Sequence, residues 1–178
     1  MPEKRGRVAP WERGTSAARL ARAALGVAEG PLSDERLSEI LGARLPVRAT
    51  DPGPGRVSGG LRDDHTPGTT RVLVQNGRPA SQRFYFARLL GLAVDLGQDQ
   101  RVLPVSAATT ATQKFGRAFG QEFLCPWEEL DAFTDAKGTD EDAVSSAAER
   151  WGVSEMLVTT TLVNRGKIER GHLARFNP

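Results

Sequence analysis

Between Ser81 and Leu96 the chain places apolar side chains on almost every side of a helix: Phe84, Phe86, Ala87, Leu89, Leu90, Leu92, Ala93, Val94 and Leu96. A helix apolar nearly all round is covered by other elements rather than lying on a surface. No run of 18 apolar residues occurs, so no membrane-spanning helix is expected. The remaining residues must therefore supply the cover. Their pattern predicts an α+β fold, mostly helical, with a small antiparallel sheet of about three strands.

The helical cover is legible from caps and spacing. Pro10 suits a first turn and Gly26 a C′ position, which predicts a helix over 10–25. Ser33 offers an N-cap, Leu37, Ile40 and Leu41 an apolar stripe, and Gly42 a stop. A further helix is expected from Thr109 to Cys125, ended by Pro126. Two more are expected near 140–151 and 154–163. Residues 46–82 differ, with recurrent Pro and Gly between short β-prone pieces at 46–49, 55–58 and 70–74. Asn76-Gly77 is a strong hairpin signal there. The expected organisation is a flexible basic N-terminus at 1–9, one domain over 10–165 and a polar tail at 166–178.

Composition narrows the chemistry. The apolar fraction of 39% is too high for wholesale disorder. One cysteine excludes an internal disulfide, and two histidines leave little scope for metal or acid/base work. The N-terminus is basic but has no apolar stretch after it, so a secretory leader is not expected and the predicted location is cytoplasmic. Lys and Arg total 24 against 22 Asp and Glu, a net charge of +2, which is small for a chain that wraps nucleic acid. The charge is uneven: Lys4, Arg5, Arg7, Arg13, Arg19 and Arg22 crowd the first 22 residues, and an acidic segment occupies 128–142.

Two motifs then stand out. Arg83-Phe84-Tyr85-Phe86-Ala87-Arg88-Leu89-Leu90-Gly91-Leu92 resembles the R-F-x-x-A-H-E-L-G-H helix of the ImmA/IrrE family of metallopeptidases. Phe119-Gly120-Gln121-Glu122-Phe123-Leu124-Cys125-Pro126 resembles that family's F-A-A-E-L-L-x-P helix. The resemblance implies a zincin-like core. In such a site two histidines one helical turn apart bind zinc, and the glutamate beside the first is the general base. A third ligand comes from the second helix. Here the first histidine position is Arg88, the base position Leu89 and the second histidine position Leu92. The positions for the third ligand are Gln113 and Phe115. None of these five can perform the family's chemistry. The expectation is no metal, no cofactor and no catalytic residue, so the enzyme reading leans to no.

The resemblance implies a regulatory, non-catalytic binding module that keeps the groove, acting on a protein partner such as a helix-turn-helix transcriptional repressor. Candidate groove residues are Arg88, Leu92, Asp95, Val72 and Val74. Asp95 lies on the Arg88 face of the helix, which suggests that the two pair. An alternative is a DNA-binding regulator using residues 144–164 as a helix-turn-helix-like pair. Ser154, Thr159, Thr160, Arg165 and Lys167 would then be the contacts, although Glu155 faces the wrong charge. A second alternative is a divergent zinc endopeptidase drawing on His65, Cys125 or His172, which share no ligand spacing. Cys125 sits in an apolar context and reads as a buried residue rather than a nucleophile. Membrane partners are not expected.

Overall fold

The computed structural model describes residues 8–42, 58–62, 70–73, 78–97 and 100–176. Within them the chain is mostly helical with a three-stranded antiparallel sheet. The elements in order are α1 (Pro10–Ala24), α2 (Asp34–Leu41), β1 (Ser58–Arg62), β2 (Thr70–Leu73), α3 (Pro79–Leu96), β3 (Val102–Val105), α4 (Ala111–Leu124), α5 (Trp127–Lys137), α6 (Glu141–Trp151) and α7 (Glu155–Asn164). A 3-10 turn over Arg170–Phe176 follows. None of these helices is long and apolar enough to cross a membrane.

The caps act as their residue types dictate. Ser33, Thr110, Asp140 and Ser154 each accept the backbone N–H three residues on. Gly152 ends α6 at a φ of 61°, where an L side chain would be strained.

The apolar circumference of α3 is explained by two partners. One face, with Ala87 and partly buried Phe84 and Leu90, joins the main core of Phe115, Phe119, Phe123, Leu130, Trp151, Val158 and Leu162. The opposite face packs Leu89 and Leu92 against Leu103 and Val105 of β3, with Val72 and Tyr85 alongside. The helix is thus a slab between the other helices and the sheet. Glycines set how closely the helices approach. A Cβ at Gly14 would lie 2.5 Å from the Phe115 carbonyl, and one at Gly91 would lie 2.7 Å from the Phe119 ring. With Arg22 at Phe123, α1 runs parallel to α4, and with Leu92 at Gly116 and Phe84 at Gly120, α3 runs antiparallel to it.

One expectation is corrected. The sheet order is β2-β1-β3, so its third strand is Val102–Val105, after α3, and does not come from the 46–82 segment. The pieces at 46–49 and 55–57, and Asn76-Gly77, lie outside the described residues. Most of the acidic segment forms helix α5, whose Leu130 is fully buried while Glu128 and Asp135 stay exposed. Part of the tail is ordered as the 3-10 turn, with Ile168 packed on the main core.

Candidate functional site

Arg88 leaves the middle of α3 beside α4. Gly120 makes room for it: a Cβ there would lie 3.1 Å from Arg88 Cγ and 3.0 Å from the Phe84 ring. The guanidinium carbon sits 5.8 Å from the centre of that ring, a cation–π contact. Arg88 Nη2 donates to Ser106 O and to Gln113 Oε1, each at 2.7 Å. Its Nε–H is buried without a partner.

Gln113 is the third residue of α4 and is buried. Its carboxamide binds the end of β3 on both sides. Nε2 donates to Pro104 O at 2.6 Å, and Oε1 accepts the Ser106 N–H at 3.0 Å. These are the two bonds that a neighbouring peptide unit would make. Pro104 has no N–H to offer a ladder, which suits a strand at a sheet edge. The seat for a strand added at this end of β3 is therefore filled by the protein's own side chain.

The electrostatics of the corner are one-sided. Burial lowers the Arg88 pKa first, and the nearby Arg117 lowers it further, to about 10, against a small opposing effect of Tyr85. Arg117 donates to Ala108 O at 2.9 Å. Burial raises the Tyr85 hydroxyl well above its ordinary range, outweighing Arg88 and a hydrogen bond to the Gly59 backbone.

Of the five positions set against that family's motif in the sequence, Arg88 and Gln113 meet directly. Leu89 and Leu92 belong to the sheet-facing core, and Phe115 lies in the main core. Leu92 has no exposed surface, so it is corrected from a groove residue to a core residue. The expected Arg88–Asp95 pair is also corrected. Asp95 is ion-paired with Arg13, whose guanidinium lies over the Phe115 ring. Val72 is partly buried against the sheet-facing cluster, and Val74 lies outside the described residues.

The donor set does not fit zinc. Gln113 Oε1 already accepts two hydrogen bonds, and Arg88 offers only donors. Among the described residues no group of three His, Cys, Asp or Glu is placed to hold a metal. Cys125 is buried, and burial pushes its thiol pKa well up, which disfavours the thiolate. His172 is exposed on the terminal turn, and His65 lies outside the described residues.

The residues assigned to DNA contact are largely committed elsewhere. Thr159 has no exposed surface, which corrects it from contact to core. Leu157, Val158, Thr161 and Leu162 are buried with it, so α7 is a core helix rather than a projecting one. Ser154 Oγ caps α7. Thr160 is half-buried and Glu155 exposed. Arg165 stacks over Trp127, with its guanidinium carbon 5.1 Å from the ring centre. Lys167 bridges Asp131 and Asp135 on α5 at 2.7 and 2.8 Å.

Sequence reasoning missed Arg117, Ser106 and Pro104. Arg117 was discoverable, because it follows Gln113 by one helical turn and so shares its face. The other two depend on where β3 docks. A separate cleft of about 820 Å³ lies between α1 and α5. Within it Arg19 pairs with Glu122 at 2.7 Å and with Glu128 at 3.3 Å, and Glu129 accepts the Gly30 N–H at 2.8 Å.

No family model matches the chain, and no curated protein matches it either.

Proposed function

We propose that the chain is a non-catalytic relative of the ImmA/IrrE metallopeptidases that acts as a regulatory protein-binding module, with a helix-turn-helix transcriptional repressor as the partner class. One observation carries the reading. Arg88 and Gln113 stand where the resemblance puts the first zinc-binding histidine and a third ligand, one on each of two helices. They lie in hydrogen-bond contact at 2.7 Å. In a metallopeptidase, side chains from these two positions converge on the ion. Here a guanidinium and a carboxamide converge on each other and on the end of β3.

A fixed cation in that space supplies charge but neither a Lewis acid nor a bound water. The base position is a buried leucine. Such a corner holds the fold and can present charge to a partner, but it has no group to activate water. Metal analysis of the purified chain, with a peptidase assay on an unfolded protein substrate, tests the reading. The expected result is less than stoichiometric metal and no cleavage with or without added zinc. Stoichiometric zinc with cleavage abolished by a chelator would overturn it.

A further inference from the structure

Arg88 meets only neutral oxygens, Ser106 O and Gln113 Oε1, and its Nε–H has no partner. Arg117 meets one more, Ala108 O. The two guanidiniums thus rest on carbonyls two residues apart in the loop between β3 and α4. No carboxylate among the described residues forms an ion pair with either. Four other arginines come with acids, Arg13 with Asp95, Arg19 with Glu122, Arg36 with Glu39 and Arg83 with Asp34, whereas Arg22 is held by carbonyls in the field of Glu129 and Glu122 and Arg165 lies over Trp127. Two neighbouring cations, one of them half-buried, leave a positive charge that an anion from outside would offset. The planar fork of arginine suits a carboxylate in particular.

We propose that Arg88 and Arg117 read a side-chain carboxylate in an acidic segment of the protein partner. The proposal rests on the protein-binding reading above and names the chemistry that the partner must carry. A carboxylate is favoured over a nucleic-acid backbone because the cations form one point. Phosphate-backbone binding needs a series of contacts, and the basic residues after α7 do not extend the point, since Lys167 is already bridged by two acids.

The test uses a fluorescent peptide rich in Asp and Glu with both termini blocked, followed by anisotropy with the full chain at low and physiological salt. The wild type is expected to bind. Arg117→Gln and Arg88→Gln are each expected to weaken binding roughly tenfold, the loss of one charge-assisted contact. Lys114→Gln removes an exposed cation one turn before Arg117 and is expected to change binding by less than about twofold. Arg117 is the safer variant for folding, and Arg88→Lys keeps the charge should Arg88→Gln melt early.

No binding by the wild type, or equal weakening by Lys114→Gln, would overturn the proposal. So would a duplex DNA shift with the same arginine dependence combined with displacement of the peptide by inorganic phosphate, which would assign the point to phosphate. A pull-down separates the two levels. Capture of a partner undiminished in both arginine variants sinks the carboxylate site and leaves the binding module standing. Peptide binding with no protein captured sinks the module and leaves the site.

Discussion

Arg22 and Arg88 grip opposite ends of α4, and both do so through neutral oxygens. Arg22 donates to Phe123 O at 2.7 Å in the last turn of α4 and to Gly30 O at 2.6 Å in the loop after α1. Arg88 holds Gln113 in the first turn. Burial lowers both pKa values. The surroundings differ in sign. Glu129 and Glu122 oppose the effect at Arg22, whereas Arg117 adds to it at Arg88. The ends of a helix carry opposite partial charges, so a cation is welcome at the carbonyl end and unwelcome at the N–H end. Arg22 is therefore a completed structural clasp. Arg88 makes similar bonds while its charge remains uncompensated, and a charge of that kind is available for function.

The largest expected effect tests the completed end. Arg22→Met should destabilise the chain by about 3–4 kcal/mol, because it orphans buried carbonyls and removes a cation that lies in the field of Glu129 and Glu122. Urea unfolding measures this. A loss below about 1 kcal/mol would mean that Arg22 is not the clasp described.

Cys125 gives a second measure of the same end. Its thiol is buried in the field of Glu122 and Glu129, and its pKa is raised from an ordinary 9.0. An acid whose folded pKa is raised stays protonated in the fold while the unfolded chain ionises. Its stabilising contribution is therefore present below pH 9 and declines above it. The wild type should lose about 1 kcal/mol more than Cys125→Ala between pH 9 and 10. Parallel pH profiles would show that the thiol is open to water.

Much of this contrast was not legible in the sequence. The helices were, because caps and punctuating residues such as Ser33, Gly42, Pro126, Asp140, Ser154 and Gly152 act within a few residues of themselves. The burial of α3 was also legible from its composition. The third strand was not, since Val102–Val105 is short and contains Pro104, and only its docking on β1 makes it a strand. Helix α5 was obscured by its acidic face. At the candidate site the positions Arg88 and Gln113 were legible through the resemblance, but their partners were not. Asp95 looked available to Arg88 from helical spacing alone, whereas Arg13, 82 residues away in sequence, takes it. Local patterns specify elements, and long-range pairing decides which charges remain open.

The uncompensated end predicts a smaller effect than Arg22. Arg88→Met loses two hydrogen bonds but also relieves a buried cation of its desolvation and its repulsion from Arg117. Replacing such a charge by an apolar chain of similar length is often close to neutral. The expected change is within about 1 kcal/mol in either direction. A base whose folded pKa is lowered favours its neutral form in the fold, so the wild type should gain on Arg88→Met as pH rises above about 10. A loss matching that of Arg22→Met would erase the distinction between the two ends.

The smallest expected effect lies at Arg165, whose charge is neither clasped nor paired with an acid but laid over Trp127. An exposed cation–π contact contributes about 0.5 kcal/mol, so Arg165→Ala should lower stability by that order and quench less of the Trp127 fluorescence change on unfolding. The same variant weighs the DNA alternative. If α7 and the residues after it gripped a duplex, removing one phosphate-contacting cation would lower the salt dependence of binding by about one ion. With Thr159 in the core and Lys167 held by Asp131 and Asp135, neither wild type nor variant should retard duplex DNA even at low salt. Retardation that Arg165→Ala reduces would place a nucleic-acid contact at α7 and would shift the search for a free cation away from Arg88.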